Sequence, residues 1–190
     1  DSLGFFADTL DESRGSQNLS PNSSRAYVGD ITYLVDTASI TGNANYNATE
    51  TKEKLFDRNS GTKYLTNTAR PVVVGWSLTG KVEKAINQYP IVSANDASDR
   101  DPKSWKLYGK READADWTLM DERSNMAFPG RYEEKVFTIS EPKAFSSYRL
   151  EITENFKNGG MTQFADIILV TGNPSDNQFQ GTSLKVDISN

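Results

Sequence analysis

Eight short runs of β-branched and aromatic residues, each closed by Gly, Pro, Asn or Asp, leave this chain little to fold into except antiparallel sheet. The runs cover residues 31–35, 72–78, 86–92, 104–109, 117–120, 135–139, 148–153 and 164–170. Most gaps between them carry turn residues rather than a helical period, which favours a sandwich over a parallel sheet with crossover helices. Only residues 48–56, with acidic residues ahead of the lysines, read as a short helix. In the run 148–153, Tyr148, Leu150 and Ile152 fall on one face and Arg149, Glu151 and Thr153 on the other, the pattern of a half-buried strand. Trp105 and Leu107 share a face in the same way. Trp76, Trp105 and Trp117 all lie within strand runs among aliphatic residues, so all three are expected in the core. Ligand contacts then fall to the loops.

The 190 residues suit one globular domain with tails. Residues 1–25 read as a polar leader, residues 26–172 as the sandwich, and residues 173–190 as a C-terminal extension. Within that extension, residues 183–188 alternate apolar and polar, as an extra edge strand would. No run is long and apolar enough to predict a membrane span, and a net charge of -5 argues against nucleic acid as a partner.

The chain contains neither Cys nor His. Their absence excludes Ser-His-Asp and Cys-His nucleophile systems, imidazole or thiolate metal sites, and disulfides. A resident metal would have to be a hard cation bound by oxygen. Glu133, Glu134, Glu151 and Glu154 are the obvious carboxylates for a glycosidase pair, yet their placement is that of any solvated strand edge and no catalytic spacing accompanies them. The domain is expected not to be an enzyme.

The order of segments resembles the coagulation factor 5/8 type C (discoidin) family and, within it, the family 32 carbohydrate-binding modules. The most specific stretch is Asp99-Arg100-Asp101-Pro102 leading into Trp105-Lys106-Leu107-Tyr108-Gly109, then Trp117-Thr118. It is similar to the family's Arg-Asp-Pro loop, its "W-x-L-Y-G-S" strand and its Trp-Thr strand start. Residues 50–62 resemble the family's short helix and "A-I-D-G-x-x-x-T" loop. Tyr148-Arg149-Leu150 matches its "Y-x-R-L" strand, and Phe164-Ala165-Asp166-Ile167 its closing "L-A-E-I" strand. The likeness spans about residues 30–172. It implies an all-β, eight-stranded antiparallel jelly-roll sandwich of the galactose-binding-domain type, with one short helix and irregular N- and C-terminal extensions.

The resemblance also implies a structural Ca2+. Asp57, Asn59, Gly61 and Thr62 place a carboxylate, an amide, a tight turn and a hydroxyl within six residues, which is oxygen chemistry suited to that ion. The same residues also make a well-formed turn without metal. In the family, this loop supplies backbone carbonyls with the Asp and Thr, and the closing strand adds a carboxylate. Carried over, the ligands are Leu55, Asp57, Asn59, Thr62, Ala165 and Asp166. Asp166 stands where the family usually has Glu and is one methylene shorter.

Family modules that bind galactose-type sugars commonly use His, Arg and Asn with a stacking aromatic, a set that a chain without His cannot complete. The candidates here are Asn95, Asp96, Arg100 and Asp101 before Trp105, Arg131 and Tyr132 in a second loop, and Phe156 and Asn158 in a third. Arg-carboxylate forks and amides suit sugar hydroxyls, and aromatic rings suit the apolar face of a pyranose. Arg100 pairing with Asp96, Asp99 or Asp101 is the structural alternative. By resemblance the domain is expected to bind carbohydrate, as a module of a secreted or cell-surface, bacterial glycan-handling protein. A discoidin-type adhesion domain with a protein partner is the other reading.

Overall fold

The structure is a computed structural model that describes residues 27–172. The leader, the C-terminal extension and its expected edge strand lie outside the described residues. In chain order the strands are β1 (Thr41–Gly42), β2 (Tyr64–Thr66), β3 (Val72–Ser77), β4 (Lys84–Gln88), β5 (Ile91–Val92), β6 (Pro102–Lys110) and β7 (Thr118–Arg123). They continue with β8 (Glu134–Lys135), β9 (Ala144–Phe145), β10 (Ser147–Asn155), β11 (Thr162–Phe164), β12 (Asp166–Ile167) and β13 (Val170–Thr171). Every strand pair is antiparallel.

One layer is a five-stranded sheet in the order β1-β3-β10-β6-β7. The rest is divided among three small sheets, β11-β2, β12-β5-β8 and β13-β4-β9. The all-β sandwich expected from the strand pattern is therefore the architecture observed. Register explains how the main sheet supplies its half of the core. Tyr148, Leu150 and Ile152 on β10 face Trp76, Val74 and Val72 on β3, while Leu150 and Ile152 also face Leu107 and Trp105 on β6. All eight side chains are buried, as the alternation requires. Trp105 meets Phe137 edge-on at 4.8 Å, and Trp76 stacks on Tyr148 at 5.8 Å.

Local expectations needed correction at several points: the runs 86–92 and 164–170 are each broken into shorter strands, only Lys135 of the run 135–139 lies in a strand, and three further segments differ. Residues 31–35 are not a strand but contain a 3-10 helix, Thr32–Leu34. Asp30 Oδ1 accepts from the Thr32 amide at 2.9 Å, and the Leu34 amide bonds back to Ile31, so a side-chain cap diverts the β-branched run into a turn. The helix expected over residues 48–56 is a five-residue 3-10 segment, Lys52–Phe56. Trp117 is not core: it is half-buried on the outer face of the main sheet, with the Arg149 guanidinium 4.9 Å from its ring centre and 5.0 Å from that of Tyr108. The aliphatic surroundings of Trp117 in sequence carry no information about this, because Arg149 reaches it from another strand.

Candidate functional site

Strand pairing assembles one cluster of loops. Asn155 at the end of β10 lies opposite Pro102 at the start of β6, so Asp101 and Phe156 emerge side by side from the same end of the main sheet. The Lys157 amide ties the two loops together by donating to the Asp99 carbonyl at 2.8 Å. Pairing of Val92 with Glu134 brings the third loop alongside. There, Ser93 Oγ donates to the Gly130 carbonyl at 2.8 Å, and the Tyr132 amide to the Ala94 carbonyl at 3.2 Å. Three loops far apart in sequence are thus fixed by backbone bonds at one end of the sandwich.

Two ionic clasps hold the first loop. The Arg131 guanidinium forks onto Asp101, with Nη1 donating to Oδ1 at 2.9 Å and Nη2 to Oδ2. Nη1 also reaches the Asp96 carbonyl at 3.0 Å. Asp101 is 2% exposed, and burial raises its pKa despite the guanidinium beside it. The second clasp is Lys63, whose ammonium lies 2.8 Å from Asp96 Oδ1 and 3.5 Å from Glu50. Gln163 Nε2 donates to the same carboxylate at 3.0 Å and to the Asp96 carbonyl at 2.7 Å. The hydrogen bond from Lys63, aided by Gln163, holds the Asp96 carboxyl below its ordinary range.

Between these loops lies an open groove of about 300 Å³ lined by Ser98, Asp99, Asp101, Ala127, Phe128 and Phe156. Phe156 is 42% exposed, with the Lys103 ammonium 5.8 Å from its ring centre. Asp99 makes only a loose pair with Lys157 at 3.6 Å, on the surface. The groove therefore offers an aromatic face next to a solvent-exposed carboxylate and a Ser hydroxyl.

Of the sequence candidates, Asp101 and Phe156 line this groove. Arg131 sits behind it as the clamp on Asp101 and the 94–96 backbone, and Asp96 is in the Lys63 clasp. Asn95 is exposed beside Asp96, and Tyr132 is 41% exposed in the neighbouring loop. Arg100 is half-buried in the 3-10 segment Ser98–Arg100. Asn158 has a positive φ of 52° in the turn after Phe156, and its amide donates to the Asn155 carbonyl at 3.3 Å. Lys63, Gln163 and Ser98 were not legible in sequence: Gln163 sits mid-strand in β11 and becomes a loop anchor only through the fold.

The oxygen-rich turn sits elsewhere. Asp57 Oδ1 accepts from the Asn59 amide at 2.9 Å, and Oδ2 from Thr62 Oγ1 at 2.6 Å. Thr62 Oγ1 is also 2.9 Å from the Asn59 carbonyl. The preceding 3-10 helix lies against β12, which carries the buried Asp166, with buried Ala165 just before it and buried Leu55 inside the helix. Side-chain and carbonyl oxygens of the Asp57–Thr62 turn are of the chemical type that suits calcium, and Asp57 and Asp166 are the carboxylates that would offset its charge. Among the described residues, no group of three or more acidic residues gathers as a metal site would. Most of the donors here are neutral.

No family model matches the chain. Solved structures do. A module from Clostridium perfringens, CpGH89CBM32-5 in complex with GalNAc-β-1,3-galactose, superposes with a TM-score of 0.60 at 12% identity, covering 77% of this chain and 100% of that one. The paired family 32 modules of Clostridium perfringens ZmpB, in complex with GalNAc, give 0.64 at 16% identity over 80% of this chain and 38% of theirs. An F5/8 type C domain from Bacteroides fragilis gives 0.59 at 15% identity, covering 73% of this chain and 95% of that one. The chain has the β-sandwich fold of these domains. A curated relative, the peptide-N(4)-(N-acetyl-β-glucosaminyl)asparagine amidase of Arabidopsis thaliana, is 37% identical over 54 residues. That match spans 28% of this chain and only 8% of the plant protein.

Proposed function

We propose that this domain is a non-catalytic carbohydrate-binding module that takes sugar in the groove between its end loops. The observation that carries the reading is the juxtaposition of the exposed Phe156 ring with Asp99 and Ser98 on a rigid loop scaffold. The ring offers an apolar platform to a pyranose face, and the carboxylate and hydroxyl bond its hydroxyl groups. Asp101 lines the groove but is forked by Arg131, which neutralises it from behind, so the pair acts as scaffold rather than as a sugar contact. The fold adds support, since structural neighbours include modules solved with GalNAc-β-1,3-galactose and with GalNAc. The lack of His separates this groove from the common galactose-binding set, so its sugar would be read by a carboxylate and a hydroxyl instead. Such a module would serve an exported bacterial glycan-handling protein.

A structural calcium belongs to the same proposal. The carboxylates of Asp57 and Asp166, the Thr62 hydroxyl and the carbonyls of Leu55, Asn59 and Ala165 would hold it. When bound, the ion would fasten the loop to the closing strand and supply no chemistry.

The groove is tested by glycan-array and affinity-gel screening of the domain against its Phe156→Ala variant. We expect retention on at least one glycan, weakened about tenfold or more in the variant, from loss of roughly 1.5 kcal/mol of stacking. Retention that ignores Phe156 would remove the groove from the account. Absence of retention on every glycan, together with specific capture of a protein, would shift the reading to an adhesion domain.

A further inference from the structure

A larger trough lies at the opposite end of the sandwich. Lys110, the last residue of β6, pairs with Ser147 at the start of β10, and Ala144 on β9 pairs with Ala85 on β4. The loop joining β6 to β7, the turn ahead of β9 and Glu83 therefore gather around one concavity of about 720 Å³, more than twice the end-loop groove. Strand β6 has nine residues, so the two sites stand about 26 Å apart at roughly 3.3 Å per residue.

The trough is built rather than incidental. Its floor is Phe145, packed against Gly109 and edge-on to Tyr148 at 6.5 Å. The Tyr148 hydroxyl lies 2.7 Å from the Lys84 carbonyl and 2.9 Å from that of Phe145, which pins the floor to β4. One wall is a folded loop: the Arg111 amide donates to Asp114 Oδ2 at 2.9 Å, Arg111 Nη2 to Oδ1 at 2.9 Å, and the Asp114 amide back to the Arg111 carbonyl at 3.1 Å. These bonds set the walls before any ligand arrives.

The lining chooses the ligand class. Asp116 and Glu83 contribute acceptors to the lining, Lys143 and Arg111 contribute donors, and Phe145 adds an apolar ring. An anion would face three carboxylates, counting Asp114, and a cation would face Arg111 and Lys143. Groups that both give and accept hydrogen bonds suit this mixed lining, and the volume fits a short oligosaccharide.

We propose that this trough is a second saccharide site, for neutral sugars, which makes the domain bivalent. The ligand class extends the sugar-binding reading; the location does not depend on the end-loop groove.

The test is an amide NMR titration of the domain with lactose, N,N′-diacetylchitobiose and GalNAc-β-1,3-galactose, with sodium glucuronate and lysine amide as charged probes. We expect a neutral sugar to shift the amides of residues 111–118 and 143–145. Asp116→Ala should weaken that response about tenfold, as loss of a hydrogen bond to a charged group does, and Lys143→Ala should weaken it too. Phe156→Ala should leave it intact. Shifts confined to this cluster would support the trough and count against the end-loop groove. Shifts confined to the end loops, a response only to a charged probe, or indifference to both trough variants would each overturn the proposal.

Discussion

Arg131 and Asp101 show how a charged pair in a loop becomes a structural part. Asp101 is buried and its pKa rises above the ordinary aspartate value of 3.8 because desolvation outweighs the guanidinium. A raised folded-state value means that the contribution of Asp101 to stability is fullest below the unfolded value and declines as pH rises through the folded one. Asp96 has the opposite sign: Lys63 and Gln163 lower its pKa, so its contribution is present above 3.8 and fades as pH falls through the lowered value. Removing Arg131 leaves a buried carboxylate without its counter-ion. Arg131→Ala is therefore expected to lose about 3 kcal/mol at neutral pH and distinctly less in acid, read from denaturant midpoints across pH. A loss of equal size at every pH would mean that the side chain acts through packing and its bonds to the 94–96 backbone rather than through the charge of Asp101. The local sequence put Asp96, Arg100 and Asp101 together but not their partners, because Lys63, Arg131 and Gln163 arrive from other elements.

Among the elements, β6 and β10 carry the architecture, since their pairing sets both the core face and the two loop ends. Their alternation was legible because a half-buried strand must place apolar residues every second position. The short strands β1, β2 and β9 were not legible, since two or three residues carry no period. Gly109 illustrates a constraint of this kind: a Cβ there would run into the Phe145 ring, so β6 needs glycine where β9 passes over it. Gly109→Ala is expected to destabilise by about 1–3 kcal/mol through overpacking, and to disturb amides around Phe145 before those around Phe156. A thermal midpoint equal to that of the parent protein would show that the ring can move aside freely.

For the molecule as a whole, the proposed calcium would decide how firmly the 57–62 turn is fastened to the closing strand. Asp57 already bonds Asn59 and Thr62, so the turn forms locally and the ion would add the link to Asp166. EDTA is expected to lower the melting temperature by several degrees, as loss of 1–2 kcal/mol does in a domain of this size, and Asp57→Ala to abolish that sensitivity. Identical melting curves with EDTA and with added calcium would remove the ion from the fold. The chain's own order of residues determined the all-β class, the buried faces of β6 and β10 and the turn at Asp57, because period and turn chemistry act between near neighbours. It also excluded histidine and thiol chemistry outright. Folding alone decided that Thr32–Leu34 leaves the sheet, that Trp117 lies outside the core under Arg149, which clasps hold Asp96 and Asp101, and that a second trough opens at the far end. Each of those outcomes depends on contacts between segments distant in sequence, and no local pattern encodes the partner that long-range packing supplies.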